Sequence, residues 1–261
     1  MAGDPVRCSI DDGVAVVTLV NPPLNVVTFE LTRQLNSLVA QLAVDPAVRV
    51  MVLTGAGDKA FCAGSNIREF PGLMAPGAVV PKKLGPENEA YSRVDDFPKP
   101  TICAMNGLAY GGGLELAVCC DLIVAEAGTQ VALPEIKLGV YPASGGTVRV
   151  TRRIGEGRAK EMIYFGEPIP VETALAWGLL NRVVPRGQAL ATAMEMARTL
   201  AGKPNVALQM AKQLIDLSFD APEDAVVRAS LPMSDVVFAT EDCREGVRAF
   251  LAKDTPVFRH K

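Results

Sequence analysis

Asn106-Gly107-Leu108-Ala109-Tyr110-Gly111-Gly112-Gly113-Leu114-Glu115 sets three consecutive glycines between a strand-like run, Thr101 to Met105, and an apolar run, Leu114 to Cys120, that reads as a helix. A chain that turns from strand to helix on glycine leaves its first helical N–H groups unpaired, with no side chain to keep a ligand away. Such N–H groups suit an oxyanion. Glu115 follows Gly112 by three residues, about one helical turn or roughly 5 Å along the axis, so a carboxylate stands beside that point. The glycine spacing also imitates a dinucleotide-binding loop. Its distance from the N-terminus and the lack of a Tyr-x-x-x-Lys after it argue against that use.

Two further segments carry polar groups in apolar or glycine-rich surroundings. Upstream, Phe61-Cys62-Ala63-Gly64-Ser65-Asn66-Ile67-Arg68-Glu69 has small residues at 63 to 65, where backbone can come close to a ligand. Downstream, Leu133-Pro134-Glu135-Ile136-Lys137-Leu138-Gly139 holds Glu135 at the end of a strand-like run, Gln130 to Leu133. Taken singly, each is weak: a glutamate in an apolar run is often half of a buried ion pair.

Around these segments the pattern alternates between strand and helix. Cys8 to Ile10 and Val14 to Val20 read as a hairpin about Asp11-Asp12-Gly13. Thr28 reads as the cap of a helix with Leu31, Leu35, Leu38, Val39 and Leu42 on one face. Val48 to Leu53 and Leu122 to Ala125 read as strands, and Glu87 to Phe97 as a helix. Pro71 to Pro86, rich in proline and glycine, reads as a surface loop. Beyond Tyr141 strand signals fade and helical patterns follow: 157–165, 171–177, 189–201, 206–217, 222–238 and 243–251. The stripes Leu190, Met194, Ala197, Leu200, Ala201 and Val206, Met210, Leu214, Leu217 are expected to pack into a core.

Composition removes whole classes of chemistry. His260 is the only histidine of 261 residues, so Ser-His-Asp triads, Cys-His dyads and His-based zinc sites lose their usual residue. No metal site is expected. The six cysteines form no C-x-x-C pair and mostly lie in apolar runs, as buried reduced thiols do. A net charge of −3 and 5% aromatic residues argue against a nucleic-acid surface. The longest uncharged stretch, Gly13 to Phe29, is broken by Asn21-Pro22-Pro23 and cannot span a bilayer as a helix. Met1-Ala2-Gly3-Asp4-Pro5 has neither a basic segment nor an apolar run, which predicts a cytoplasmic protein without a leader or membrane partner.

Together the segments resemble the crotonase, or enoyl-CoA hydratase/isomerase, superfamily over nearly the whole chain. Asn21-Pro22-Pro23, Pro142-Ala143-Ser144-Gly145-Gly146 and Glu245-Gly246-Val247-Arg248-Ala249-Phe250-Leu251-Ala252-Lys253 extend the match. The resemblance implies an α/β, ClpP/crotonase-like spiral of ββα units with a helical C-terminal trimerisation region. Residues 1–195 would form the core with the CoA and catalytic sites, and 196–261 the oligomerisation region. It implies a trimer or a dimer of trimers. By the same resemblance the backbone N–H groups of Ser65 and Gly112 polarise an acyl-CoA thioester carbonyl. Glu115 activates a water that attacks the β-carbon of a 2-enoyl-CoA, and Glu135 protonates the α-carbon. The alternative is a double-bond isomerase or another acyl-CoA enolate enzyme. CoA would lie along Ala63, Gly64, Ser65, Asn66 and Ile67, with Arg68 near a phosphate and Phe250 and Lys253 supplied by a neighbouring subunit. Tyr141 and the 71–86 loop would shape the acyl pocket. No cofactor beyond the CoA of the substrate is implied. Three positions depart from the family pattern: Ser65 for alanine, Asn66 for aspartate, and Ala143 for a glycine beside the water site. Alanine at 143 would be strained if the backbone there needs positive φ.

Overall fold

The structure, a computed structural model, describes residues 4–261. Met1 to Gly3, part of the leaderless N-terminus expected above, lie outside the described residues. Strands β1 (Val6–Asp11) and β2 (Val14–Leu19) form the expected antiparallel hairpin. Helix α1 (Phe29–Val44) begins where Thr28 Oγ1 accepts the Leu31 N–H at 3.1 Å, and it buries Leu31, Leu35, Val39 and Leu42. Strand β3 (Val50–Gly55) is buried along its whole length, as a central parallel strand must be. The short β4 (Ala60–Cys62) then leaves that sheet.

The same step recurs twice. Helix α2 (Gly85–Asp95) leads to β5 (Thr101–Met105), β6 (Leu108–Tyr110) and α3 (Gly112–Ala117). Next come β7 (Leu122–Glu126), β8 (Gln130–Ala132) and α4 (Gly146–Ile154). In each round one strand joins a large sheet, the next joins a small one, and a helix follows: a spiral of ββα units. The rest of the chain adds α5 (Glu156–Phe165), β9 (Ile169–Pro170), α6 (Val171–Trp177), β10 (Arg182–Val184), α7 (Ala189–Ala201), α8 (Asn205–Leu217), α9 (Glu223–Phe238) and α10 (Glu241–Ala252). The large sheet runs β1-β2-β3-β5-β7-β10 and the small one β4-β6-β8-β9. Among the described residues only β1/β2 and β8/β9 pair antiparallel.

Asparagines fasten successive coils of the spiral. Asn106 donates to the Gly55 and Gly57 carbonyls at 2.8 and 2.7 Å and accepts the Gly55 N–H at 3.1 Å. Asn25, fully buried with φ 51°, donates to the Ala56 and Ala60 carbonyls at 2.9 Å each. These carbonyls flank the β3–β4 turn, and the two asparagine side chains supply donors there.

The structure corrects several sequence expectations. The 71–86 segment is not simply a surface loop. It holds the end of a 3₁₀ turn, Ile67–Leu73, and a π-helical turn, Val80–Leu84, that runs straight into α2, and Lys83 on the second turn is buried. Pro81 lies in the first turn of this helical run, where a missing N–H costs little, and Pro86 sits where the π-helical turn passes into α2. Helix α4 went unread because its Thr-Val-Arg-Val-Thr run has a strand-like composition. The α7 stripe is rotated: Ala189, Ala193, Ala197 and Ala201 are buried against Val50, Val52, Ile102 and Val124, while Leu190 is exposed. Position 195 therefore falls inside a helix that packs on the large sheet. Helix α8 has no fully buried residue, so its expected core stripe is only half-buried within one chain.

Replacing Asn25 with alanine removes two buried donors and puts a Cβ-bearing residue without a local hydrogen bond at positive φ. A loss of about 3 kcal/mol in urea unfolding is expected; a loss below about 1 kcal/mol would contradict this role for Asn25.

Candidate active site

The three glycine- and glutamate-bearing segments meet because backbone packs directly on backbone. A Cβ on Gly113 would lie 2.0 Å from the Cys62 carbonyl oxygen, and one on Gly64 would lie 2.7 Å from that of Tyr110. Gly64 also has φ +89°. Neither position tolerates a side chain. Val27 completes the loop: its N–H donates to Gly64 O and its carbonyl accepts from Asn66 N–H, both at 2.8 Å. Ser65 between them, and Gly112 at the start of α3, have N–H groups with no partner among the described residues. A Cβ on Gly111 would meet Glu135 Oε1 at 2.9 Å, so the third segment also reaches this point.

Glu115 is 3% exposed. Its Oε1 accepts the Ser144 N–H at 2.8 Å and the Gly146 N–H at 2.9 Å. Burial pushes its carboxyl up to about 8, with Glu135 and Glu87 adding repulsion and the two N–H donors working against them. Glu135 follows β8 on the 3₁₀ turn Pro134–Leu138, and its buried Oε2 has no partner. Burial, then the charge of Glu87, push it up to about 7. Two carboxyls that both hold protons near neutrality can move a proton to and from a ligand. The two N–H donors favour a charge on Glu115, whereas Glu135 Oε2 has no such donor.

Both open into a cavity of about 590 Å³. Of the expected residues, Ala63, Gly64, Ser65, Ile67, Gly112, Glu115, Glu135, Tyr141 and Ala143 line it. Asn66 does not; its side chain accepts the Arg68 N–H at 3.3 Å and starts the 3₁₀ turn. Arg68 is exposed and outside the cavity. Phe250 and Lys253 lie on and just after α10, also outside the cavity, with Phe250 83% exposed. Ala143 does not adopt positive φ, so alanine fits there without strain. Leu73, Met74, Val79, Val80 and Leu84 give the cavity an apolar wall from the segment read as a loop.

Sequence reasoning missed Lys83, Glu87 and Ser144, which also line the cavity. The i,i+4 spacing of Lys83 and Glu87 was the available signal, hidden by the prolines around it. Cys62, Cys103, Cys119 and Cys120 are buried and free, as expected, but Cys8 is exposed. Among the described residues no cluster of His, Cys, Asp and Glu could hold a metal ion, and no helix is long and apolar enough to cross a membrane.

Two unpartnered N–H groups and two raised carboxyls on one largely apolar cavity make a class of site that can hold a polar oxygen and exchange protons beside it. Comparison with known proteins agrees. The enoyl-CoA hydratase/isomerase family model matches residues 9–261. The short-chain-enoyl-CoA hydratase of Clostridium acetobutylicum is 33% identical over 242 residues, 92% of either chain. The crotonyl-CoA hydratase of Syntrophomonas wolfei is 32% identical over 254 residues, 97% of either chain. Among solved structures, an enoyl-CoA hydratase from Bacillus anthracis superposes with TM-score 0.93 at 32% identity, covering 98% of this chain and 100% of that one. Pseudomonas aeruginosa DspI gives TM-score 0.93 at 34% identity, covering 98% and 97%. The chain belongs to the enoyl-CoA hydratase/isomerase family of the crotonase superfamily.

The raised Glu115 carboxyl has a consequence for stability. The folded chain holds a proton there between the ordinary value of 4.5 and about 8, and the unfolded chain does not. Its contribution is therefore complete below 4.5 and is lost as pH rises toward about 8. The melting temperature of Glu115→Gln is expected to gain on wild type from pH 5 to pH 8. A difference that does not change with pH would contradict the burial of an ionisable proton.

Proposed function

We propose that the protein hydrates 2-enoyl-CoA thioesters reversibly. The observation that carries this is the pair of raised carboxyls, Glu115 and Glu135, in one cavity with the unpartnered Ser65 and Gly112 N–H groups. The thioester oxygen accepts from those two N–H groups. Each such donor is worth about 3–4 kcal/mol on the barrier, because it stabilises the enolate more than the ground-state carbonyl. One carboxylate takes a proton from water as the oxygen attacks the β-carbon; the other carboxyl gives its proton to the α-carbon. Once a thioester covers the pair, both carboxyls are dry and the remaining difference is hydrogen bonding. Glu115 keeps two N–H donors and bears the charge as water activator; Glu135, with a partnerless oxygen, stays protonated and is the donor.

The acyl chain runs along the apolar wall made by the 67–84 segment, Leu138 and Tyr141. The working form we infer is a homo-oligomer, a trimer or a dimer of trimers. The support is that the 205–252 segment leaves Ile215, Phe219, Leu231, Phe238, Phe250 and Leu251 exposed, large apolar side chains that a partner would cover. In such an assembly Phe250 and Lys253 would serve a neighbour's CoA. The reaction uses no cofactor beyond the CoA of its substrate.

With crotonyl-CoA, the enoyl thioester absorbance is expected to fall with wild type. Glu115→Gln and Glu135→Gln should each lower kcat by about 10²–10⁴. An enzyme that binds crotonyl-CoA without consuming it, yet creates the enoyl band from a 3-enoyl-CoA, would be an isomerase and would overturn the hydratase reading.

A further inference from the structure

Beside the two glutamates lies a third buried carboxylate that the reaction above leaves unused. Lys83 Nζ and Glu87 Oε2 are 2.5 Å apart, with their side chains 5% and 2% exposed. Both line the cavity. Glu87 Oε1 accepts the Ser144 hydroxyl at 2.7 Å. Ser144 is itself buried, and its N–H is one of the two that donate to Glu115 Oε1. The neighbouring residue on the same helix, Asn88, donates to the Ala143 carbonyl at 3.0 Å. Helix α2 therefore grips two consecutive residues of the loop that holds Glu115.

We propose that Glu87 is a positioning residue for Glu115: its carboxylate, paired with Lys83, holds the Ser144 hydroxyl and so fixes the peptide whose N–H donates to Glu115. The proposal rests on the reading of Glu115 as a proton-handling residue. Stability does not explain the ion pair. A buried pair replaced by apolar groups of similar volume is often neutral or more stable, whereas losing one partner is costly. A pair kept in a cavity wall therefore points to a task. An ion-paired carboxylate only accepts hydrogen bonds, so the Ser144 hydroxyl has one direction in which to point. With that hydroxyl held, the Ser144 and Gly146 N–H groups stay on Glu115 Oε1, and Oε2 has no hydrogen-bond partner among the described residues.

The test uses a Lys83→Met background, so that no substitution at 87 strands an ammonium. Glu87→Gln keeps the acceptor for Ser144, and Glu87→Leu removes it. In that background Glu87→Gln is expected to retain kcat for crotonyl-CoA within about threefold, while Glu87→Leu loses about 10- to 100-fold with KM little changed. Ser144→Ala should lose as much as Glu87→Leu, and combining the two should lose no more than either alone, because they act as one unit. Equal rates in the Gln and Leu variants, additive losses, or a loss that follows melting temperature would overturn the proposal.

A substrate-free readout separates its failure from that of the hydratase reading. The pH-dependent melting difference between each variant and the same variant carrying Glu115→Gln reports the Glu115 proton. N–H donors favour the ionised carboxyl, so its midpoint should be higher in Glu87→Leu than in Glu87→Gln. Identical midpoints would overturn the positioning role whatever the enzyme turns over.

Discussion

The site depends on one contact: the backbone of Cys62 to Gly64 pressed against that of Tyr110 to Gly113. Nothing larger than hydrogen fits at Gly64 or Gly113. The contact exists because β4 and β6 pair in parallel immediately before it, with Cys62 opposite Ala109. It brings the Ser65 and Gly112 N–H groups, from segments separated by most of a ββα unit, to one wall of the cavity. Asn25 and Asn106 hold the turns that aim those strands.

The second constraint is electrostatic. Three carboxyls line one largely apolar cavity. Glu87 has an ammonium partner, whereas Glu115 and Glu135 have none and keep their protons toward neutrality. The protein thus divides its glutamates by surroundings rather than by residue type. The same burial that prepares the pair for proton transfer weakens the folded state as pH rises, a cost confined to the site.

Much of this was legible in the sequence, and the boundary has physical causes. The glycine run at 111–113, Glu115 and Glu135 were readable because glycine and a buried carboxylate each narrow what a segment can do. Helix α1 was readable from its spacing and Thr28. The strands β4 and β6 were not, since three residues carry no periodicity and their pairing is set by distant chain. Lys83 and Glu87 were hidden by prolines that read as a loop but sit at helix starts. The helical C-terminal third was visible, yet α7 packs on the large sheet by its alanines and α8 fully buries none of its residues. Asn66 and Arg68 do not line the cavity; Asn66 instead caps the 3₁₀ turn that follows it.

In the hydratase reading, Glu115 and Glu135 together carry one proton in the active state. The pH dependence of kcat/KM for crotonyl-CoA tests it most directly, because that quantity reports the free enzyme. The account predicts a narrow bell, falling below about 7 as both carboxyls take protons and above about 8 as both lose them, with the two limbs belonging to the pair. A rate constant that stays flat from pH 5 to pH 9, or that has only one limb, would contradict it.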